Sequence, residues 1–327
     1  MKLRQLQYLL EVSQNGLNIT QAAKSLHTAQ PGISRQIRQL EEELGVECFE
    51  RNGRHLIAIT PAGREILVHA ERLMGEVANI VQVAEENRSP DRGAFAVGAH
   101  HLPARYLMPD LIKTYQQHYP QITLSLCQGD ESDLAEKVKT GAVEFAITSR
   151  LPVEFDELVV LPCFRSMWRL LLPVDHPLVN RKPLTLEALA KVPLACYGVS
   201  DREGRRNPLS RAFQSKGLKP NRVIQALDAD VIKTYVKSGY AVGLLEHMAL
   251  EGDHDESLAV KKVDHLFEVE TVCIILRKRA ALRSYTYDFI NLLADHLRQP
   301  IIDQALVADD PTRRQIFNTL LLDLDRR

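Results

Sequence analysis

The sequence predicts an α/β protein in three parts: an N-terminal winged helix-turn-helix, mainly α; a long linker helix; and a C-terminal two-lobed α/β domain. Three observations predict it. Helix-like apolar spacing, a tight turn and an Asn-Gly hairpin signal fill residues 1–60. An apolar repeat with spacings of 4 and 3 then runs from Ile66 to Ala84. From Ala94 onward, short apolar runs alternate with amphipathic helical stretches.

Bulk properties narrow the class. The chain has 327 residues, 45% of them hydrophobic and 25% charged, which suits two or three globular domains. No run approaches the roughly 18 apolar residues of a membrane helix. The opening MKLRQLQYLLEV is amphipathic and does not resemble a signal peptide. A cytoplasmic protein with no membrane partner is expected. The five cysteines, Cys48, Cys127, Cys163, Cys196 and Cys273, have neither metal nor redox spacing and read as small buried hydrophobes. Net charge is −1, yet residues 1–40 hold Lys2, Arg4, Lys24, Arg35 and Arg38 against the single acid Glu11. Glu41, Glu42, Glu43, Glu47 and Glu50 follow, so a basic face is expected beside an acidic one.

Leu3, Leu6 and Leu10 predict a helix over 2–14, broken by Gly16 and Asn18. Asn18 can cap a short alanine-rich helix, Thr20 to Leu26, with Gln21 placed as in a capping box. His27-Thr28-Ala29 makes the turn. A third helix runs from Gln30 to Leu44, with Pro31 tolerated in its first turn and Gly45 past its end. Ile33, Ile37, Leu40 and Leu44 form its buried stripe, leaving Ser34, Arg35 and Arg38 on other faces and Gln30 and Pro31 leading. A short helix, a tight turn and a longer helix with Gln, Ser and Arg near its start is the geometry of a major-groove reader. Asn52-Gly53 between strand-like runs predicts a hairpin with Arg51 and Arg54 flanking its tip, a wing able to reach phosphate. The expected DNA-binding set is Thr28, Gln30, Pro31, Ser34, Arg35, Arg38, Arg51 and Arg54, and the partner is double-stranded DNA.

Thr60-Pro61 caps the next helix. Ile66, Ala70, Leu73, Val77, Ile80 and Ala84 form a heptad seam, widened by Leu67, Met74 and Val81, which predicts a dimerisation helix over 61–89. Packing of the same stripe against its own domain is the competing reading. Ser89-Pro90-Asp91-Arg92-Gly93 ends it. Beyond lie expected strands at Ala94–Ala99, Ile122–Cys127, Phe145–Thr148, Leu158–Pro162, Trp168–Leu172, Leu194–Tyr197, Val223–Ala226, Ala241–Leu245 and Thr271–Leu276. Helices fit Ala104–Tyr119, Ser132–Thr140, Leu184–Ala190, Pro208–Lys216, Asp230–Ser238 and a stretch from about Leu282. Such alternation predicts parallel sheet with crossover helices. The length suggests two lobes, with crossings near Cys163–Ser166 and Leu266–Glu270 and a ligand cleft between them. The expected divisions are 1–60, 61–89, 90–297 (lobe I about 94–163 and 270–297, lobe II about 164–269) and a helical tail over 298–327.

The runs Ala22-Ala23-Lys24-Ser25-Leu26, Gln30-Pro31-Gly32-Ile33-Ser34-Arg35-Gln36-Ile37, Phe49-Glu50-Arg51 and Thr60-Pro61-Ala62-Gly63 resemble the LysR-type transcriptional regulators. The resemblance extends over nearly the whole chain through Ala104-Arg105-Tyr106, Gln128-Gly129, Phe145-Ala146-Ile147, Leu161-Pro162-Cys163, Asp228–Val236 and Leu282–Ile290. These runs resemble most the branch that activates cysteine-biosynthesis genes. The resemblance implies a periplasmic-binding-protein-like effector domain, a dimer through the linker helix assembling into a homotetramer, RNA polymerase as a further candidate partner, and a cleft for small sulfur-pathway anions or acetylserine. The chain departs from the branch at Ala99-His100-His101-Leu102-Pro103, where only His101 fits, and in the loop from Gly198 to Arg206, which is about two residues longer. A small anionic metabolite held in another manner is therefore expected, with His100, His101, Thr148, Ser149, Ser200 and Arg202 as the effector-binding set. His100 and His101, adjacent on a strand, are expected to point to opposite faces, so no metal is expected. Another reading is an α/β enzyme or a solute-binding protein with an accessory DNA-binding domain. The sequence has no G-x-S-x-G, P-loop or G-x-G-x-x-G after a strand, so no catalytic residue and no cofactor is expected.

Overall fold

Apolar stripes at helical spacing form the first three helices. The computed structural model describes residues 1–53, 55–88, 92–148, 158–197, 208–250 and 255–323. In it α1 (Leu3–Gln14), α2 (Ile19–Ser25) and α3 (Gln30–Leu44) bury Leu9, Val12, Ala22, Ile33, Ile37 and Leu40 against one another. Each fully buried aliphatic contributes roughly 1.5–3 kcal/mol. Asn18 Oδ1 accepts from the Gln21 amide at 3.0 Å, capping α2, and Gly45 ends α3 at φ +71°. β1 (Phe49–Asn52) and β2 (His55–Ile59) pair antiparallel with Asn52 opposite His55. The turn therefore begins at Gly53 and not at the expected Asn52-Gly53. Gly53 has φ +63°, and the primed turns of two-residue hairpins need such a residue first.

α4 (Pro61–Arg88) begins beneath this hairpin. Thr60 Oγ1 accepts from the Gly63 amide at 2.9 Å and donates to the Glu47 carbonyl at 2.6 Å. Gly63 is required by close approach, since a Cβ there would lie 2.1 Å from the Cys48 carbonyl oxygen. The heptad seam divides along the helix. Leu67 and Ala70 are buried in the core of the first three helices, with Ile66, Leu73 and Met74 packed against it. Ile80 and Val81 are 69% and 52% exposed. The competing reading thus holds for the first half of the stripe, which lies over the three-helix core, while in the second half Val77 is half-buried and Ile80 and Val81 are exposed. Residues 1–88 form one compact unit and 89–327 another.

The second unit holds two mixed sheets, where parallel ones were expected. β3 (Gly93–Ala99) is parallel to β4 (Ile122–Gln128) and β5 (Phe145–Thr148). Between β3 and β4 run a π-helical turn (Pro103–Leu107) and α5 (Met108–His118), which replace the single helix expected over 104–119. Pro109 has no N–H for an i→i−4 bond, and the chain widens ahead of it, Met108 N bonding to Pro103 O. α6 (Glu131–Thr140) connects β4 to β5, and β6 (Leu158–Ser166) completes the lobe I strands before the chain leaves. β7 (Trp168–Pro173), α7 (Leu186–Leu189), β8 (Leu194–Tyr197), α8 (Pro208–Ser215), β9 (Arg222–Ala226), α9 (Ala229–Lys237), β10 (Val242–Glu246), a 3-10 turn (His247–Leu250) and β11 (Leu258–Lys262) build lobe II. β12 (Glu270–Arg277) returns to lobe I, followed by α10 (Ser284–Leu293), α11 (Gln299–Val307) and α12 (Asp310–Asp323).

Lobe I has the order β4-β3-β5-β12-β6 and lobe II β11-β7-β10-β8-β9. The antiparallel pairs β12–β5, β12–β6, β10–β7 and β11–β7 all involve a strand next to a lobe crossing or its hairpin partner. A strand that leaves or re-enters a sheet directly, without a crossover helix, runs against its neighbour. Only Met167 separates β6 from β7. β11 was not expected at all. It is a short edge strand whose two lysines weaken the strand pattern.

Candidate functional site

The buried stripe of α3 turns its opposite face outward. Gln30, Pro31, Arg35 and Arg38 are exposed, and Ser34 and Thr28 are half-buried. The α2–α3 turn is tight, with Thr28 N bonding to the Ala23 carbonyl at 2.9 Å and His27 held at φ +47°. The first turn of α3 contains no acid, and its cap residue Ala29 offers no side chain to the free amides. The positive helix end therefore adds to the two arginines in attracting phosphate.

Arg51, expected as a wing residue, is tied into the fold of its own domain. Its guanidinium is paired with Glu41 and also donates to the Phe49 carbonyl at 3.3 Å. Glu41 is turned inward, 6% exposed, and its other oxygen accepts from the amides of Cys48 at 2.8 Å and Phe49 at 3.2 Å. One carboxylate thus fixes the hairpin to α3, and the expected acidic face loses a member. Burial pushes the Cys48 thiol up to about 11, with Glu41 adding to the shift, so it stays protonated. Ser34, Arg38 and Arg51 still line one shallow depression with Ile19, Ile37 and Leu56. Arg54 lies outside the described residues.

In the second unit the carboxyl ends of β3 and β5 lie side by side. Gly98 allows this, since a Cβ there would sit 2.8 Å from both Ala146 Cβ and Leu134 Cδ2. His100 N bonds to the Ile147 carbonyl at 2.9 Å, beside the fully buried Thr148. His100 and His101 do not diverge as two strand residues would. β3 ends at Ala99 and the chain turns helical, so the rings meet edge to face at 4.3 Å, with His101 Nδ1 3.3 Å from His100 Nε2. Glu131, at the start of α6, lies 3.6 Å from His100. The histidines are therefore grouped with an acid that spacing did not reveal. Among the described residues no set of three His, Cys, Asp or Glu is arranged to hold a metal. Ser149, Ser200 and Arg202 lie outside the described residues.

Lobe II meets this cluster through Tyr197, whose ring is 5.7 Å from His101 and 6.1 Å from Trp168. The Tyr197 hydroxyl and the Trp168 indole N–H are buried, and among the described residues no side chain accepts a hydrogen bond from either. Burial, with the Glu246 charge nearby, pushes the Tyr197 phenol well above its ordinary range, so it is a donor. Tyr106, on the π-helical turn of lobe I, donates to Asp230 of lobe II at 2.6 Å. Arg105 Nε is 3.2 Å from the other Asp230 oxygen, and Lys233 Nζ lies 3.4 Å from both the Tyr106 hydroxyl and Asp230. Sequence reasoning missed Tyr106, Trp168, Tyr197 and Asp230 as site residues. The runs containing Tyr106 and Asp230 stood out in the sequence, but nothing in their spacing brings them together.

Residues 3–64 match the family model described as bacterial regulatory helix-turn-helix protein, lysR family, and residues 88–298 match the LysR substrate binding domain. The chain is 38% identical over 329 residues to the HTH-type transcriptional regulator CysB of Haemophilus influenzae, covering 99% of each. It is 36% identical over 294 residues to the HTH-type transcriptional regulator cbl of Escherichia coli K12, covering 89% of this chain and 92% of that one. The crystal structure of the cofactor-binding domain of the Cbl transcriptional regulator is similar with a TM-score of 0.61 and 34% identity, over 66% of this chain and 95% of that chain.

Proposed function

The chain belongs to the LysR family of DNA-binding transcriptional regulators, and from that premise we propose how it reads DNA and what it answers to. Two reading heads, joined through the exposed stripe of α4, meet two half-sites on double-stranded DNA. In each head α3 enters the major groove with Gln30, Ser34, Arg35 and Arg38 toward bases and phosphates, flanked by Thr28 and Pro31. Arg54 reaches the backbone from the hairpin tip, and Arg51 secures the hairpin. The observation that carries this reading is the outward row Gln30, Pro31, Arg35 and Arg38 on a helix whose other face is buried. Two pairs form a homotetramer that works in the cytoplasm, with RNA polymerase the candidate partner at the promoter.

The effector in this reading is a small anionic metabolite bound between the lobes near His100, His101 and Thr148, with no further cofactor. Tyr197 and Trp168 support it, because both offer donors that an oxyanion or carboxylate can accept from. Glu131 opposes a bare anion and requires His100 beside it to share the balancing charge. Similarity to CysB and Cbl along most of the chain supports genes of sulfur and cysteine metabolism as targets.

Arg35→Ala tests the reader. Gel-shift titration is expected to show specific binding weakened by roughly 1–3 kcal/mol, while Arg54→Ala weakens all sequences alike and flattens the salt dependence. Unchanged operator affinity in both removes the proposed docking face. A thermal-shift panel of sulfate, thiosulfate, acetylserine and carboxylates tests the effector. Stabilisation by neutral compounds alone overturns the anionic assignment.

A further inference from the structure

We propose that Tyr106, Asp230 and Lys233, with Arg105 at the rim, form a latch that holds the two lobes together and sets how far an effector can move them. The inference deepens the reading of the interlobe region as the effector site and rests on it for its regulatory meaning. The contact itself is built from groups on opposite lobes. Tyr106 comes from the π-helical turn of lobe I, and Asp230 and Lys233 from the first turns of α9 in lobe II. The phenol donates to the carboxylate at 2.6 Å. Lys233 bridges both, and its ammonium lies 4.8 Å from the centre of the Tyr106 ring. Asp230 is favoured as an anion where it stands, at the amino end of a nine-residue helix capped by Asp228. The Lys233 side chain is 12% exposed and the Asp230 side chain 43%, so the latch is half-buried, anchored by a lysine drawn out of solvent.

The latch adjoins the candidate effector residues. Tyr106 follows His101 by five residues, on the helical turn that leaves β3, and the Tyr197 ring packs on His101 at 5.7 Å. A ligand that displaces or orients His101 or Tyr197 therefore acts beside the group holding the lobes. Such a ligand shifts the lobe arrangement only by its differential affinity for latched and unlatched forms.

Hydrogen–deuterium exchange on the full chain tests this without any ligand. Tyr106→Phe and Asp230→Asn are each expected to raise exchange at the strand ends Phe145–Thr148 and Leu194–Tyr197, which neither substitution alters, by about fivefold, the effect of one ordinary hydrogen bond. The double variant is expected to go little further than either single one. Lys137→Ala, which removes the Asp133–Lys137 pair within lobe I, is the control expected to leave both strand ends unchanged. Exchange that rises only around residues 106 and 230, or effects that add in the double variant, overturns the latch. Adding sulfate as a probe separates the two ideas: if sulfate and thiosulfate leave the wild-type strand ends unprotected while the variants still loosen them, the latch stands and the anionic effector reading falls.

Discussion

Glu41 accepts two backbone amides and an arginine while nearly excluded from solvent. Removing such a carboxylate leaves Arg51 and two amides facing a void. Glu41→Ala is expected to lower the stability of the reading head by about 3 kcal/mol, since one partner of a largely buried pair is lost while Arg51 keeps some access to water. Chemical denaturation followed by circular dichroism checks it, and a loss below about 0.5 kcal/mol contradicts the inward role. Asp230 gives a prediction in pH. Its hydrogen bond from Tyr106 has the largest effect and burial opposes it next, and with Arg105 and the Lys233 charge added the carboxyl is held below the ordinary value of 3.8. A depressed folded value stabilises the protein fully above the unfolded value and loses that stabilisation as pH falls through the folded one. The stability gap between wild type and Asp230→Asn is thus expected to be widest above about pH 5 and to close below about pH 4. At this scale the outward placement of Arg35 and Arg38 was legible, because both lie off an apolar stripe in one helix. Arg51 was not, because its partner is ten positions back and only the fold brings Glu41 under the hairpin.

α4 shows how far a repeat speaks for an element. Its spacing revealed one apolar stripe but not what covers it. The first turns cross the three-helix core and the later turns do not. Substituting each half gives different outcomes. Ala70→Glu is expected to unfold the reading head by burying an unpaired charge, whereas Ile80→Glu with Val81→Glu leaves the fold within about 0.5 kcal/mol and dissociates the oligomer. Denaturation and analytical ultracentrifugation distinguish them, and an unchanged sedimentation coefficient in the Ile80/Val81 variant removes α4 as the joining element. Elsewhere the strands and helices of both lobes, β11 apart, followed from their runs of apolar residues. What did not follow was strand direction, since hydropathy is the same either way, nor the π-helical turn, whose cause is the one missing N–H of Pro109.

The whole molecule is two compact units, and the second is threaded twice between its lobes, at Met167 and again over residues 263–269. Each unit has its own core, so Gly63→Ala, which forces a Cβ against the Cys48 carbonyl, is expected to lower the melting of residues 1–88 alone. A single shared shift in calorimetry of that variant contradicts two independent cores. The fold class was legible at this scale from the change of pattern at Ala94. The contact across the lobes was not, since Arg105 and Asp230 stand 125 positions apart. One anchor bears on how this protein is handled at the bench. β6 is the outer strand of its sheet, α12 lies over it, and Arg165 ties the two by donating to the Leu321 carbonyl at 2.7 Å. A clone trimmed before Asp310 removes the helix packed on this edge strand, and an uncovered strand edge is the kind of surface on which chains stack into precipitate. Purification tags belong at the other terminus or beyond an intact tail.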